Sequence, residues 1–110
     1  MHLLKKLVNK LMSDGKESFK KICHSNNIYI DYKQNKSGYL ILKEIFEDRV
    51  YADYFPFHKK AVMVDVGAHF GFFSLFASRN AHEDSRIFSF EPSKENFSIL
   101  RKNISDNKIT

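Results

Sequence analysis

The segment that most constrains the fold is an apolar run, AVMVDV (residues 61–66), which leads directly into a loop bracketed by Gly67 and Gly71. A nearly continuous apolar run is typical of a strand that is buried on both faces of a parallel sheet. The segment after the loop, FFSLFASRN (residues 72–80), places its apolar residues at helical spacing. The sequence therefore predicts a buried strand, a short glycine loop and a helix.

A second strand and a second helix follow. SRIFSFE (residues 85–91) has the composition of a strand, and PSKENFSILRKNI (residues 92–104) has an apolar stripe at helical spacing, with Ser93 as a suitable N-cap. The order strand, helix, strand, helix predicts a parallel βαβ unit and the α/β fold class. The aromatic residues of the first helix are predicted to belong to the core: Phe72, Phe73 and Phe76.

The first part of the chain is predicted to begin with an amphipathic helix. The apolar residues of segment 3–12 fall on one helical face and its lysines on the other, with Gly15 as the expected end and a weaker helix over 16–23. A basic amphipathic helix can bind a membrane surface. Packing on the domain or on a partner chain is the favoured interpretation, because the segment is short and has no Trp or Phe.

Between this helix and the apolar run, the sequence predicts a β-hairpin. NIYIDY (residues 27–32) alternates apolar and polar residues, and a polar spacer separates it from GYLILKE (residues 38–44). An aromatic segment, residues 51–57, then either packs into the domain or forms a lid over a ligand. The predicted organisation is a helical and hairpin extension, residues 1–50, followed by the βαβ unit, residues 51–110.

Composition excludes several classes of function. The net charge of +5 belongs to residues 1–60, whereas residues 61–110 carry six basic and six acidic side chains. A nucleic-acid surface around the glycine loop is therefore not expected. The single cysteine, Cys23, is expected to be a small apolar residue, and it excludes an intrachain disulfide. With no signal peptide and no apolar run of about 18 residues, a cytoplasmic protein without a membrane span is expected.

The chemistry of the loop depends on its acidic neighbours. A strand that enters a helix through a glycine loop creates a site for anions or nucleotides at the helix N-terminus. The loop lacks the third glycine of a dinucleotide-binding fingerprint, and Asp65 would disfavour a pyrophosphate. Asp65 and Glu91 end adjacent strands, where one carboxylate can bind ribose hydroxyls and the other can neutralise a cation. A nicotinamide-dependent oxidoreductase remains an alternative, because Glu91 follows Gly71 by 20 residues.

At their mutual spacing, VMVDVGAHFGFFSLFAS and RIFSFEPSKENFSILRKNI resemble the first half of an S-adenosylmethionine-dependent methyltransferase with a partial Rossmann-like, class I sheet. More narrowly, they resemble the FkbM family, whose usual string is Asp-Val-Gly-Ala-Asn-x-Gly followed by a strand that ends in Phe-Glu-Pro. The resemblance covers about residues 50–108. It implies O-methylation of a hydroxyl on a carbohydrate or polyketide-like acceptor.

The resemblance also implies residue roles. The methionine part of S-adenosylmethionine would lie beside Asp65, Gly67 and Gly71, and Glu91 would bind the ribose hydroxyls. The remaining loop residues would line the cofactor: Ala68, His69 and Phe70. His69 stands where the family usually has Asn, and it can still donate one hydrogen bond and accept another.

Other interpretations stay open. No ligand spacing around His69 suggests a metal, and no orienting partner makes it a general base; no catalytic base is predicted. The later strands of a methyltransferase do not follow, so the chain is expected to be a truncated or split piece that is inactive alone. A non-catalytic assembly module, with its sheet completed by another chain or an oligomer, is the alternative.

Overall fold

The computed structural model describes residues 2–109, which form a mixed α/β structure. Its elements are, in chain order, α1 (His2–Ser25), α2 (Tyr32–Asn35), a 3-10 turn (Lys36–Gly38), α3 (Tyr39–Leu42), a π-helical turn (Lys43–Glu47), β1 (Val62–Val66), α4 (Phe72–Asn80), β2 (Arg86–Phe90) and α5 (Lys94–Asp106).

The predicted order strand, helix, strand, helix is confirmed. Strands β1 and β2 pair in parallel along their whole length, with Val62 opposite Arg86 and Val66 opposite Phe90. The connection through α4 is therefore a βαβ unit. Ser93 caps α5, because its side-chain oxygen accepts a hydrogen bond from the backbone N–H of Asn96.

The prediction that β1 is buried on both faces is wrong. Met63 is buried, but Val64 on the opposite face is 60% exposed. Within residues 2–109 the helices cover one face, where Ser74 of α4 contacts Ser89 of β2. The opposite face, named here the open sheet face, carries mainly large apolar side chains that are exposed: Val62, Val64, Val66, Phe88 and Phe90.

Helix α1 is continuous, so the predicted end at Gly15 is wrong. A glycine inside a helix costs only about 1 kcal/mol relative to alanine, and burial of the apolar residues after it offsets that cost. The second part of α1 packs on the rest of the chain through Phe19, Ile22 and Cys23. The predicted packing of residues 3–12 on the domain is not observed, because their apolar side chains, among them Leu3 and Leu11, are exposed.

The predicted β-hairpin is also wrong. Residues 28–31 form no strand, and residues 32–47 are helical. Two local effects favour the helical form. The Asp31 carboxylate accepts a hydrogen bond from the backbone N–H of Gln34 and so caps α2. The buried residues after Gly38 have helical rather than alternating spacing: Leu42, Ile45 and Phe46.

One hydrophobic core contains residues from both predicted parts of the chain. Phe19 and Leu42 lie in the same buried cluster as Phe72 and Phe76 of α4, which confirms these two aromatic residues as core. Phe73 is only partly buried against that cluster. The boundary at residue 50 stays a prediction. The aromatic segment 51–57 packs on α4 as well, through ring contacts that join Tyr51 and Phe55 to Phe73 and Phe57 to Phe76.

Cys23 is buried against this core, as the sequence predicts, and burial raises the pKa of its thiol to about 11. The reactive thiolate is therefore scarce at pH 8. We expect the folded protein to react with Ellman's reagent at least ~100-fold more slowly than the urea-unfolded chain. Stoichiometric labelling within seconds under native conditions would contradict this burial.

Candidate functional site

The loop between β1 and α4 has an unusual backbone. Gly67, His69 and Gly71 all have positive φ angles, of 76°, 54° and 83°. The loop is anchored at its start, where the backbone N–H groups of Gly67 and Ala68 both donate to the carbonyl of Phe90 at the end of β2, over 2.8 and 2.9 Å. The sharp turn thus brings the loop against the end of the neighbouring strand.

The conformation of His69 explains the residue type at this position. Non-glycine residues rarely adopt positive φ, and Asn, Asp and His do so several-fold more often than others. His69 is therefore one of the few non-glycine residue types suited to this turn.

The two glycines of the loop differ in their surroundings, which gives a testable contrast. A Cβ at Gly71 would lie 3.0 Å from Cγ of Leu100 in α5, whereas a Cβ at Gly67 would have no neighbour within 4 Å. Both positions impose left-handed strain of about 1–2 kcal/mol on alanine. We expect Gly67→Ala to cost about 1 kcal/mol of unfolding free energy and Gly71→Ala about 2–3 kcal/mol. Urea denaturation measures both; equal losses would contradict the close packing of Gly71 on Leu100.

Glu91, at the end of β2, connects the loop to the start of α5. One carboxylate oxygen, Oε1, accepts the backbone N–H of His69, and the other, Oε2, accepts that of Ser93, both over 2.8 Å. A carboxylate has about four acceptor sites, so each oxygen can accept another hydrogen bond. The sequence predicted that Glu91 lies beside the loop, and it does; the role of Ser93 N–H in holding its carboxylate was not predicted.

Asp65 and His69 contribute two buried polar atoms that lack a hydrogen-bond partner, Oδ2 of Asp65 and Nδ1 of His69. Such atoms are rare in folded proteins, and an unmade hydrogen bond costs about 1–3 kcal/mol. Burial, and secondarily the charge of Glu91, raise the pKa of Asp65 above its ordinary value. The carboxylate is therefore placed where a hydrogen-bond donor or a cation would stabilise it.

Both residues line a small cavity of about 120 Å³ beside the loop. The predicted loop residues Gly67, Ala68 and Phe70 also line it. The side chains of Ala68 and Phe70 are buried, at 6% and 4% exposure. Gly71 is not among the lining residues; it caps α4 instead.

Sequence analysis missed three residues that also line this cavity: Ile41, Ile45 and Tyr51. Ile41 and Ile45 are four residues apart, which is the spacing of one helical face. That signal was obscured by the interpretation of residues 38–44 as a strand. Ile45 belongs to the π-helical turn, residues 43–47, and such turns frequently occur at functional sites.

A larger groove lies elsewhere, between α1, residues 28–33 and α5, with a volume of about 800 Å³. It is wide open and lysine-lined, by Lys16, Lys20 and Lys102 among others. The buried polar atoms without partners found in residues 2–109 lie at the glycine loop, not in this groove. We therefore place the candidate site at the loop.

Across residues 2–109, no three His, Cys, Asp or Glu side chains converge as metal ligands. In the same range, no helix combines the length and apolar character needed to cross a membrane. The cytoplasmic location stays a prediction from the sequence.

Comparison with known proteins gives one similarity. Over 67 residues the chain is 36% identical to Methyltransferase sdnD of Sordaria araneosa, a match that covers 61% of this chain and 25% of that protein. The chain thus spans about a quarter of the length of the curated relative it matches. No family model and no solved structure matches. The similarity supports a relation to methyltransferases, and the mixed α/β structure with its parallel strands is compatible with part of a methyltransferase-like fold.

Proposed function

We propose that this chain is the S-adenosylmethionine-binding part of an FkbM-like methyltransferase. The observation that carries the proposal is the meeting of two carboxylates at one glycine loop, where Glu91 holds the backbone of His69 and Asp65 keeps a buried oxygen without a partner. Two adjacent acids disfavour a pyrophosphate and suit a ligand with hydroxyl and cationic groups. S-adenosylmethionine carries a ribose, an ammonium group and a sulfonium.

The polar groups at the loop suit parts of this cofactor, whose whole volume exceeds that of the cavity of about 120 Å³ beside Asp65. Glu91 has unused acceptor sites for the two ribose hydroxyls, and its carboxylate is fixed by two backbone N–H groups. Asp65 supplies the buried acceptor and the negative charge that a cationic group requires. Gly67, Ala68 and His69 line the cavity, and a ligand can approach the backbone closely at Gly67 because it has no side chain.

When bound, the cofactor would supply an activated methyl group for transfer to a nucleophile. We propose a hydroxyl of a carbohydrate or polyketide-like small molecule as acceptor, on the resemblance alone. Proximity and orientation account for much of the catalysis of such a transfer, and a hydroxyl also needs a base. We assign no base within this chain, and methyl transfer is proposed for a protein that contains this chain together with further elements.

Thermal unfolding in the presence of ligands tests the proposal. A ligand that binds only the folded state raises Tm by mass action. We expect a concentration-dependent rise of several degrees with S-adenosylmethionine and with S-adenosylhomocysteine, and no rise with NAD. A rise with NAD alone would instead support the oxidoreductase alternative.

The alternative of a non-catalytic assembly module is motivated by the open sheet face. Exposed valine and phenylalanine side chains on a sheet are a favourable surface for association. Size-exclusion chromatography with light scattering separates the two functions. A monomer that binds S-adenosylmethionine supports the cofactor-binding function, and an oligomer that binds no cofactor supports the assembly function.

A further inference from the structure

A chain of buried asparagine side chains leads from the first part of the protein to the glycine loop. Asn35 and Asn103 are 0% and 1% exposed. The amide nitrogen of Asn103 donates to the backbone carbonyl of Phe70 and to Oδ1 of Asn35, both over 2.8 Å. Asn35 in turn donates to the backbone carbonyl of Asp31 over 2.8 Å. The loop is thus hydrogen-bonded through α5 to the segment that precedes α2.

The bond to Phe70 lies next to the strained residue of the loop. His69 has a positive φ, and such a conformation persists only where its surroundings impose it. Its own N–H is held by Glu91, and the carbonyl of the following residue is held by Asn103. These two hydrogen bonds hold the peptide group that precedes His69 and the peptide group between Phe70 and Gly71, so they bracket the dipeptide His69-Phe70.

Close packing against α5 and against the 3-10 turn also restrains the loop. Leu100, one turn before Asn103 on α5, lies against Gly71. In the 3-10 turn, a Cβ at Gly38 would lie 3.0 Å from the ring of Phe70 and 2.8 Å from that of Phe72. The loop therefore fits between α5 and a turn that belongs to residues 1–50.

We infer that Asn103 is a positioning residue for the glycine loop, and that it acts together with Asn35. It holds the Phe70 carbonyl. In this way it keeps the His69 N–H bonded to Glu91, and it keeps Asp65 at the edge of the cavity. Residues 31–38 are accordingly part of the support of the site rather than a separate extension. The consequence for cofactor affinity rests on the proposed function; the consequence for loop conformation does not.

Asn107 provides a matched control on the same helix end. It is 5% exposed, and its amide group bonds to the backbone of Tyr29 and to the carbonyl of Asn103, not to the loop. Asn103→Ala and Asn107→Ala each remove a buried amide that binds backbone groups. A merely structural role would give both variants the same pattern of effects.

The first readout is amide hydrogen exchange of the ligand-free protein. We expect Asn103→Ala to accelerate exchange at His69 and Gly71 at least ~10-fold more than at Met63 in β1, whose N–H faces β2 in the parallel pairing. Asn107→Ala should accelerate amide exchange in the loop and in β1 by the same factor. If Asn103→Ala does not fold, Asn35→Ala replaces it, with an expected loop-specific increase of about 3-fold. Equal acceleration of loop and strand in the Asn103 variant, or in its Asn35 replacement, would overturn the inference.

The second readout is the Kd for S-adenosylmethionine. We expect it to rise about 10-fold in Asn103→Ala and less than 2-fold in Asn107→Ala, because positioning affects the loop alone. A wild-type protein that binds no S-adenosylmethionine, with loop exchange still accelerated by Asn103→Ala, would refute the proposed function and support the positioning role. Binding that is unchanged in Asn103→Ala, with no loop-specific exchange, would refute the positioning role alone.

Discussion

Replacement of Glu91 by alanine is expected to weaken S-adenosylmethionine binding by about 100-fold or more, because hydrogen bonds to a charged group contribute about 1.5–3 kcal/mol each. The variant would have no carboxylate to bind the two ribose hydroxyls of the proposed cofactor. It would also release the N–H groups of His69 and Ser93, so the loop would lose part of its preorganisation. Isothermal titration calorimetry measures the Kd of wild type and variant.

Glu95 offers a control of equal charge. It lies four residues further along, in the first turn of α5, and its side chain is exposed. Glu95→Ala should leave the Kd within about 2-fold, because exposed charges contribute little. Loss of binding in both variants would indicate a general effect of charge, and unchanged binding in Glu91→Ala would remove Glu91 from the site.

Replacement of Asp65 by asparagine is expected to have opposite effects on stability and on binding. Burial and the charge of Glu91 raise the pKa of Asp65, so the ionised side chain destabilises the unliganded fold at neutral pH. Because the side chain is partly exposed, we expect Asp65→Asn to stabilise the unliganded protein by only about 1 kcal/mol at pH 7. The same change removes a charged acceptor and should weaken S-adenosylmethionine binding about 10-fold or more.

The pH dependence provides a separate test of Asp65. A carboxyl with a raised folded-state pKa contributes stability that is fully present below its ordinary value of 3.8 and is lost as the pH rises through the raised value. The stability difference between Asp65→Asn and wild type should therefore grow as the pH rises from about 3.8 to neutrality. Urea denaturation across this range measures it, with the exposed Asp84→Asn as control. A difference that is independent of pH would contradict the burial of an ionisable Asp65.

The βαβ unit was predictable because its sequence signals are local and agree with one another. The apolar run before Gly67, the helical spacing after Gly71 and the cap at Ser93 each specify one element, and all three elements are present in the structure. The placement of Glu91 beside the loop followed from the parallel order, since the carboxyl ends of parallel strands meet at one edge.

The first part of the chain was not predictable by the same means. Short apolar segments such as residues 38–44 are compatible with either helix or strand. In this protein, tertiary packing favours the helix. Gly15 did not end α1, because the residues after it are held by the core. The burial of β1 on one face only depends on which elements cover the sheet, and strand composition does not encode that.

Sequence patterns could not predict the long-range contacts at the site either. Asn35 and Asn103 are 68 residues apart and look like ordinary polar residues, yet they meet behind the loop. Ile41 and Tyr51 are likewise distant in sequence from Asp65, and they line the same cavity. The residues of the recognisable motif could be identified from the sequence. The residues that support the motif could be identified only from the fold.

We propose that the loop from Asp65 to Gly71, together with Glu91, binds the cofactor. Titration of the ¹⁵N-labelled protein with S-adenosylhomocysteine, followed by two-dimensional NMR, tests it most directly. We expect saturable shifts at the amides of residues 67–71, Glu91 and Ser93, with smaller changes elsewhere. Shifts confined to the groove between α1 and α5, or a spectrum that does not change at millimolar ligand, would contradict it.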